Sequence, residues 1–325
     1  MEPASVWMWK PAWPMLVTCT GGAFPWFVIL RVRAVLVAVC AHTQQASVSP
    51  GAGVGREPYV LAMCPTGSRR SSRVFGMEPV YDSVIRIALG LWAAEGLKFE
   101  VTGAENVPRT GGAVIALNHT GYMDFTYAGL PAWINGKRKV RFMAKKEVFD
   151  DRIGGPLMRA MKHIPVDRAN GKPSYDTAVD YLKRGELVGV YPEATISRSF
   201  EIKAFKTGAA RMALDAGVPI VPTVIWGAQR VWTKGHPKNL GRSNAAIHIG
   251  VAEPIEPHGD PASLTEELHK VMSEKLLEVQ DGYPPMPAGA FWVPARLGGG
   301  APTLEEANRM DEDEAARRKN KKTEQ

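Results

Sequence analysis

From Val80 onward the apolar positions fall into periods that switch along the chain. Val80, Tyr81, Val84, Ile85, Ala88, Leu89 and Trp92 recur at helical spacing, with Asp82, Ser83 and Arg86 between them, which predicts an amphipathic helix. Residues 98–102 then alternate as a strand, and the run Ala-Val-Ile-Ala-Leu at 113–117 is apolar throughout, as in a strand buried on both faces. Further strands are predicted at 139–144, 163–168, 187–191, 218–225 and 246–251, with Pro219 and Pro222 suggesting irregular edges. Helical stretches lie between them at 125–134, 154–161, 174–184 and after Lys206-Thr207-Gly208 as far as Gly217. Ser263-Leu264-Thr265-Glu266 reads as a capping box opening a last helix. Strands alternating with helices predict an α/β fold: a single domain with a largely parallel mixed sheet flanked by helices, preceded by the amphipathic N-terminal helix. The domain is expected over 77–281, and the Pro/Gly-rich and then charged stretch 282–325 as a disordered tail.

Residues 1–76 follow no such period. Their apolar pieces are split by Arg31 and Arg33 and are shorter than the span of about 20 residues that crosses a bilayer. Three origins fit: a membrane-touching arm, a targeting segment, or upstream sequence joined to a start at Met77. The last ranks first, and a disordered or extraneous extension is expected in every case.

Charge changes the picture little. The formal net charge is +7, but residues 1–76 hold seven Lys/Arg against two Asp/Glu, so the domain itself is near balance and shows no basic cluster of the nucleic-acid kind. Cys19, Cys40 and Cys64 all precede residue 65, which removes thiol catalysis, disulfides and Cys-based zinc sites from the rest of the chain.

The chemistry sits where the predicted strands end. His119 and Asp124, five apart after the 113–117 strand, meet only if His119 lies at the strand end and Asp124 in the first turn that follows. A histidine held by a carboxylate is a general base in the right tautomer. Lys145, Arg168, Glu193 and Arg198 follow the ends of later strands, and in a parallel sheet those ends share one edge. Cations there suit phosphate recognition. A metal-dependent phosphoesterase and a non-catalytic lipid-binding protein are the competing readings. The first would need more ligands than the scattered His163, His236, His248, His258 and His269 offer, and the second has no need of His119 and Asp124 together.

Asn118-His119-x4-Asp124, the block 164–168 (Ile-Pro-Val-Asp-Arg), the block 191–195 (Tyr-Pro-Glu-Ala-Thr) and the block 218–222 (Val-Pro-Ile-Val-Pro) occur in this order. Together they resemble the glycerolipid acyltransferases, typified by bacterial 1-acylglycerol-3-phosphate acyltransferase, over about 80–255. The resemblance implies a glycerol-3-phosphate acyltransferase-like fold and acyl transfer from acyl-CoA or acyl carrier protein, a cosubstrate rather than a bound cofactor, to a lysophospholipid hydroxyl. It places the protein at membrane surface lipids, peripheral or monotopic on the cytoplasmic face, with neither metal nor nucleic acid. By the same analogy His119 is the base and Asp124 orients it, with Asn118, Lys145, Arg168, Glu193, Thr195, Arg198 and Lys206 as substrate-binding residues. Backbone N–H groups after His119 are expected to hold the oxyanion. The family's third block usually reads Glu-Gly-Thr-Arg; here Ala194 replaces the glycine and Ile196 the arginine. That leaves open an acceptor without a phosphomonoester. If 197–200 runs extended, Arg198 shares a face with Ile196 and restores the missing cation.

Overall fold

The computed structural model describes residues 78–152 and 154–323. The expected extension at 1–76 lies outside them. Seven strands form one sheet: β1 (Lys98–Thr102), β2 (Ala113–Leu117), β3 (Val140–Lys145), β4 (Ile164–Val166), β5 (Leu187–Val190), β6 (Ile220–Trp226) and β7 (Ala246–Val251). Their order is β1-β7-β6-β2-β5-β3-β4, parallel throughout except for the antiparallel β6–β7 pair. This is the mixed, largely parallel sheet that the alternating pattern predicts.

β2 is central, and its period of two explains the layers. Val114 and Ala116 join the core on one face; Ala113, Ile115 and Leu117 join that on the other. The first face is covered by α6 (Lys172–Lys183), α7 (Gly208–Ala216) and α8 (Pro261–Asp281), which contribute Leu182, Met212 and Leu268. The second lies under α1 (Pro79–Ala94) and the short helices α2 (Asp124–Tyr127) and α3 (Leu130–Gly136). Two more short helices, α4 (Lys146–Asp150) and α5 (Gly154–Ala160), lead from β3 to β4. The helical stretch expected over 125–134, with Gly129 and Pro131 interrupting it, is two helices with Ala128 and Gly129 between them.

α1 is bound through one face. Tyr81 donates its hydroxyl to the Val140 carbonyl at 2.7 Å, Glu78 pairs with buried Arg141 at 2.7 Å, and Trp92 packs edge-on against Tyr127. A neighbouring stripe about 100° round the helix, Val80, Ile87 and Leu91, is left exposed.

The prolines mark an irregular pairing: the β6–β7 ladder begins at Thr223 opposite Val251, whereas Ile220 bridges Ile255, one residue out of that register, so the pairing slips at Pro222. Pro222 accepts the Ala252 N–H through its carbonyl but, lacking an N–H, returns no bond. Two expectations are corrected. The last predicted helix starts earlier than its supposed capping box: Asp260 is the N-cap, accepting from the Ala262 and Ser263 N–H groups, with Pro261 in the first turn. Asp caps better than most residues and proline is favoured just inside a helix start. The tail expected to be disordered is folded. Tyr283, Trp292, Val293 and Ala301 join the first-face core, and α9 (Leu304–Thr323) follows. Apolar anchors spaced widely among Pro and Gly carry no period, so composition alone hides them.

Candidate active site

β2 runs straight into the site. Asn118, the first residue past the strand, is buried and locked to β6: its Nδ2 donates to the Ile225 carbonyl at 3.1 Å and its Oδ1 accepts the Ile225 N–H at 2.8 Å. That amide is committed to holding two strand ends together. His119 then turns out of the sheet, and Asp124 opens α2, as the five-residue spacing requires. Nδ1 of His119 lies 3.0 Å from Oδ2 of Asp124, whose side chain is 0 % exposed against 22 % for His119. The same oxygen accepts the Thr120 and Gly121 N–H groups at 2.7 and 2.8 Å. Three donors converging on one buried oxygen fix the carboxylate, and the carboxylate fixes Nδ1–H as the histidine's donor. Nε2 is left as the acceptor. The Thr120 and Gly121 N–H groups expected to hold an oxyanion are therefore already used by Asp124.

Two further contacts hold the histidine. The Tyr191 ring stacks on its imidazole, with centroids 4.2 Å apart and planes 27° apart, while the Tyr191 hydroxyl has no hydrogen-bond partner among the described residues. Glu193 is buried and ties backbone to backbone: Oε1 accepts the His119 N–H at 2.9 Å and Oε2 the Lys203 N–H at 3.1 Å. Burial pushes its carboxyl up to about 8, against the pull of those two N–H groups and of Lys203. Both oxygens serve the fold of the site, which leaves Glu193 a positioning residue. Ala194 beside it holds φ at 57°, the left-handed region, where the resembled family carries glycine.

The cations divide. Lys145 ends β3, which is separated from β2 by β5, and Arg168 follows β4 one strand further out; both are exposed. At about 4.8 Å between strands, β4 lies roughly 14 Å from β2. Sharing an edge does not bring Arg168 to His119. Lys206 is exposed, and Thr195 is half-buried. Ile196 is buried, with no polar atom to offer a head group. Arg198 does not extend along a strand: residues 198–201 bend, and its guanidinium pairs with Asp311 at 3.2 Å and Glu314 at 2.9 Å on α9. Sequence reasoning missed Tyr191, although its motif block contains it, and missed Lys203, Lys234, Asp311 and Glu314, which no local pattern marks.

Beside the site, an apolar groove runs between α1, α2 and β3, lined by Val84, Ala88, Phe125, Leu130, Trp133 and Phe142. Gly189, on neighbouring β5, makes room for the Phe142 ring of its wall. A Cβ there would lie 2.5 Å from the Phe142 ring.

A strand-end histidine oriented by a buried aspartate, on a largely parallel sheet beside an apolar groove, is the arrangement that the resemblance to glycerolipid acyltransferases implies. Residues 98–226 match the Acyltransferase family model, and the same part of the chain is similar to curated 1-acyl-sn-glycerol-3-phosphate acyltransferases. The 1-acyl-sn-glycerol-3-phosphate acyltransferase of Bacillus subtilis is 35% identical over 129 residues, which is 39% of this chain and 62% of that one. That of Borreliella burgdorferi is 28% identical over 169 residues, 50% of this chain and 64% of the relative. The chloroplastic enzyme of Arabidopsis thaliana is 29% identical over 196 residues, 57% of this chain and 52% of the relative. The chain thus spans about half to two thirds of the length of these curated relatives. The crystal structure of the 1-acyl-sn-glycerophosphate acyltransferase from Thermotoga maritima shares the fold, with a TM-score of 0.50 and 21% identity over 65% of this chain and 87% of that one.

Proposed function

We propose that the protein transfers a fatty acyl group from a thioester donor, acyl-CoA or acyl carrier protein, to the hydroxyl of 1-acylglycerol-3-phosphate, giving phosphatidic acid. The observation that carries this reading is the convergence of three donors, one of them the His119 ring, on a single buried oxygen of Asp124. It leaves Nε2 as the base, on the partly exposed ring of His119. His119 takes the proton of the acceptor hydroxyl as that oxygen attacks the thioester carbonyl. The new C–O bond forms, the C–S bond breaks, and the imidazolium returns its proton to the leaving thiolate. Asp124 stabilises the imidazolium and keeps the ring in register. No acyl-enzyme is required.

The groove supports a lipid substrate. Phe125, one of its walls, directly follows Asp124, so a chain lying there would present its carbonyl end towards the dyad. Among the described residues no helix is long and apolar enough to cross a membrane. The exposed stripe Val80, Ile87 and Leu91, with Tyr122 and Phe125 also exposed, suits a seat in a membrane interface instead. The cytoplasmic face belongs to the same reading, carried from the family resemblance.

Labelled acyl-CoA offered with a panel of lysolipids tests the proposal by product analysis. Label is expected in phosphatidic acid. His119→Ala is expected to lower transfer about a hundredfold or more while leaving the circular dichroism spectrum unchanged. Near-wild-type turnover in that folded variant would remove the mechanism. A second reading has its own support: with Ile196 buried and Arg198 paired to α9, an acceptor lacking a phosphomonoester fits as well. Label in a neutral lipid, with none in phosphatidic acid, would favour it.

A further inference from the structure

α9 shows the domain a single stripe. Between 304 and 317 only Leu304, Ala307, Asp311 and Glu314 are not exposed, at the three- and four-residue spacing of one helical face. The first two are apolar. The next two, where a docked helix ordinarily carries core residues, are carboxylates. They meet three cations from the site side. Asp311 pairs through Oδ1 with Arg198 at 3.2 Å and Lys234 at 2.7 Å, and through Oδ2 with Lys203 at 2.6 Å. Oε2 of Glu314 pairs with Arg198 at 2.9 Å and Lys234 at 2.7 Å. All five side chains are between 12 and 28 % exposed.

Each cation is built into the frame around His119. Ser197, just before Arg198, donates its N–H to the His119 carbonyl at 2.8 Å. The Lys203 N–H goes to Glu193, which holds the His119 N–H. Thr233, just before Lys234, donates its hydroxyl to the Thr120 carbonyl at 2.6 Å. The three cations are thus fixed by the same framework that fixes the base, whereas the carboxylates are brought by a helix whose later turns have no apolar anchor. Partly exposed ion pairs are weak and readily exchanged for other ions.

We propose that Arg198, Lys203 and Lys234 form a phosphate site that the chain's own Asp311 and Glu314 fill, making α9 a strap that an incoming phosphomonoester displaces. The match is chemical. A phosphomonoester carries close to two negative charges and three acceptor oxygens, as the two carboxylates together carry two charges, and one arginine fork with two ammonium groups is a phosphate-binding set. The source of the phosphate, the head group of a lysophospholipid acceptor or the 3′-phosphate of a CoA donor, rests on the acyl-transfer reading.

The test uses the full chain and reads no acyl transfer. Hydrogen exchange across 308–317 is measured with inorganic phosphate added and the total ionic strength held constant with chloride. Phosphate is expected to speed exchange there and leave β2 protected; unchanged exchange in α9 overturns the strap. Asp311→Asn combined with Glu314→Gln is expected to tighten inorganic phosphate binding about tenfold, the gain from freeing a site that is otherwise about nine-tenths filled. Equal or weaker binding in that variant overturns the proposal and leaves the ion pairs as a fixed clamp. Glycerol 3-phosphate and adenosine 3′,5′-bisphosphate serve as competing probes: displacement by the first assigns the site to the acceptor, by the second to the donor, and by neither removes it. Phosphate-driven release in a protein that transfers no acyl group would sink the acyltransferase reading and leave this one standing.

Discussion

At the scale of single residues the site is a histidine held from three sides, and two of the holds can be separated by substitution. Tyr191 acts through its ring, since its hydroxyl has no partner among the described residues. Tyr191→Phe is therefore expected to keep kcat, whereas Tyr191→Leu gives up stacking of about 0.5–1.5 kcal/mol and should lower kcat by roughly two- to tenfold. Equal loss in both variants would mean that the hydroxyl matters. Glu193 acts through the backbone, and its raised pKa sets a sign. Below 4.5, the ordinary glutamate value, folded and unfolded chains both hold the proton and the contribution to stability is complete; as pH rises towards about 8 the unfolded chain loses the proton first and stability falls. Glu193→Gln cannot titrate, so its urea midpoint should decline less across that window than the wild-type midpoint. Parallel slopes for the two proteins would count against a raised pKa.

At the scale of elements, α1 has two apolar stripes and uses only one of them internally. Tyr81 and Trp92 face the domain, and the stripe of Val80, Ile87 and Leu91 does not. Ile87→Glu with Leu91→Glu should weaken binding to anionic vesicles strongly, yet change the thermal midpoint little, because exposed substitutions usually move stability by no more than about 0.5 kcal/mol. Vesicle binding that survives both changes would place the lipid contact elsewhere. The helical spacing of 80–92 showed an amphipathic element but not which stripe would be buried. That depended on where Val140 and Tyr127 arrived.

At the scale of the whole molecule, the chain beyond 282 closes the domain. Trp292 is buried in the core, lies 4.6 Å from the Arg230 guanidinium and accepts from Gln229 through its carbonyl. Trp292→Ala should cost about 3–5 kcal/mol in urea denaturation. A cost near zero would restore the disordered tail that the composition suggested.

The sequence by itself determined what short-range periodicity can encode. The two-sided burial of residues 113–117, the strand–helix alternation and the meeting of His119 with Asp124 follow from spacings of two to five residues, and the structure bears them out. The tertiary structure alone decided what depends on the return of distant chain. Asn118 and Glu193 carry side chains suited to a substrate, yet strand β6 and the backbone N–H groups of His119 and Lys203 take all four of their acceptor and donor atoms. Arg198 is an ordinary polar-loop residue in sequence, and its partner Asp311 lies 113 positions away. Lys145 and Arg168 share an edge with the base, as a parallel sheet requires, but strand order sets the distance along that edge. An ion pair is specified by where two backbones cross, and no local pattern records a crossing.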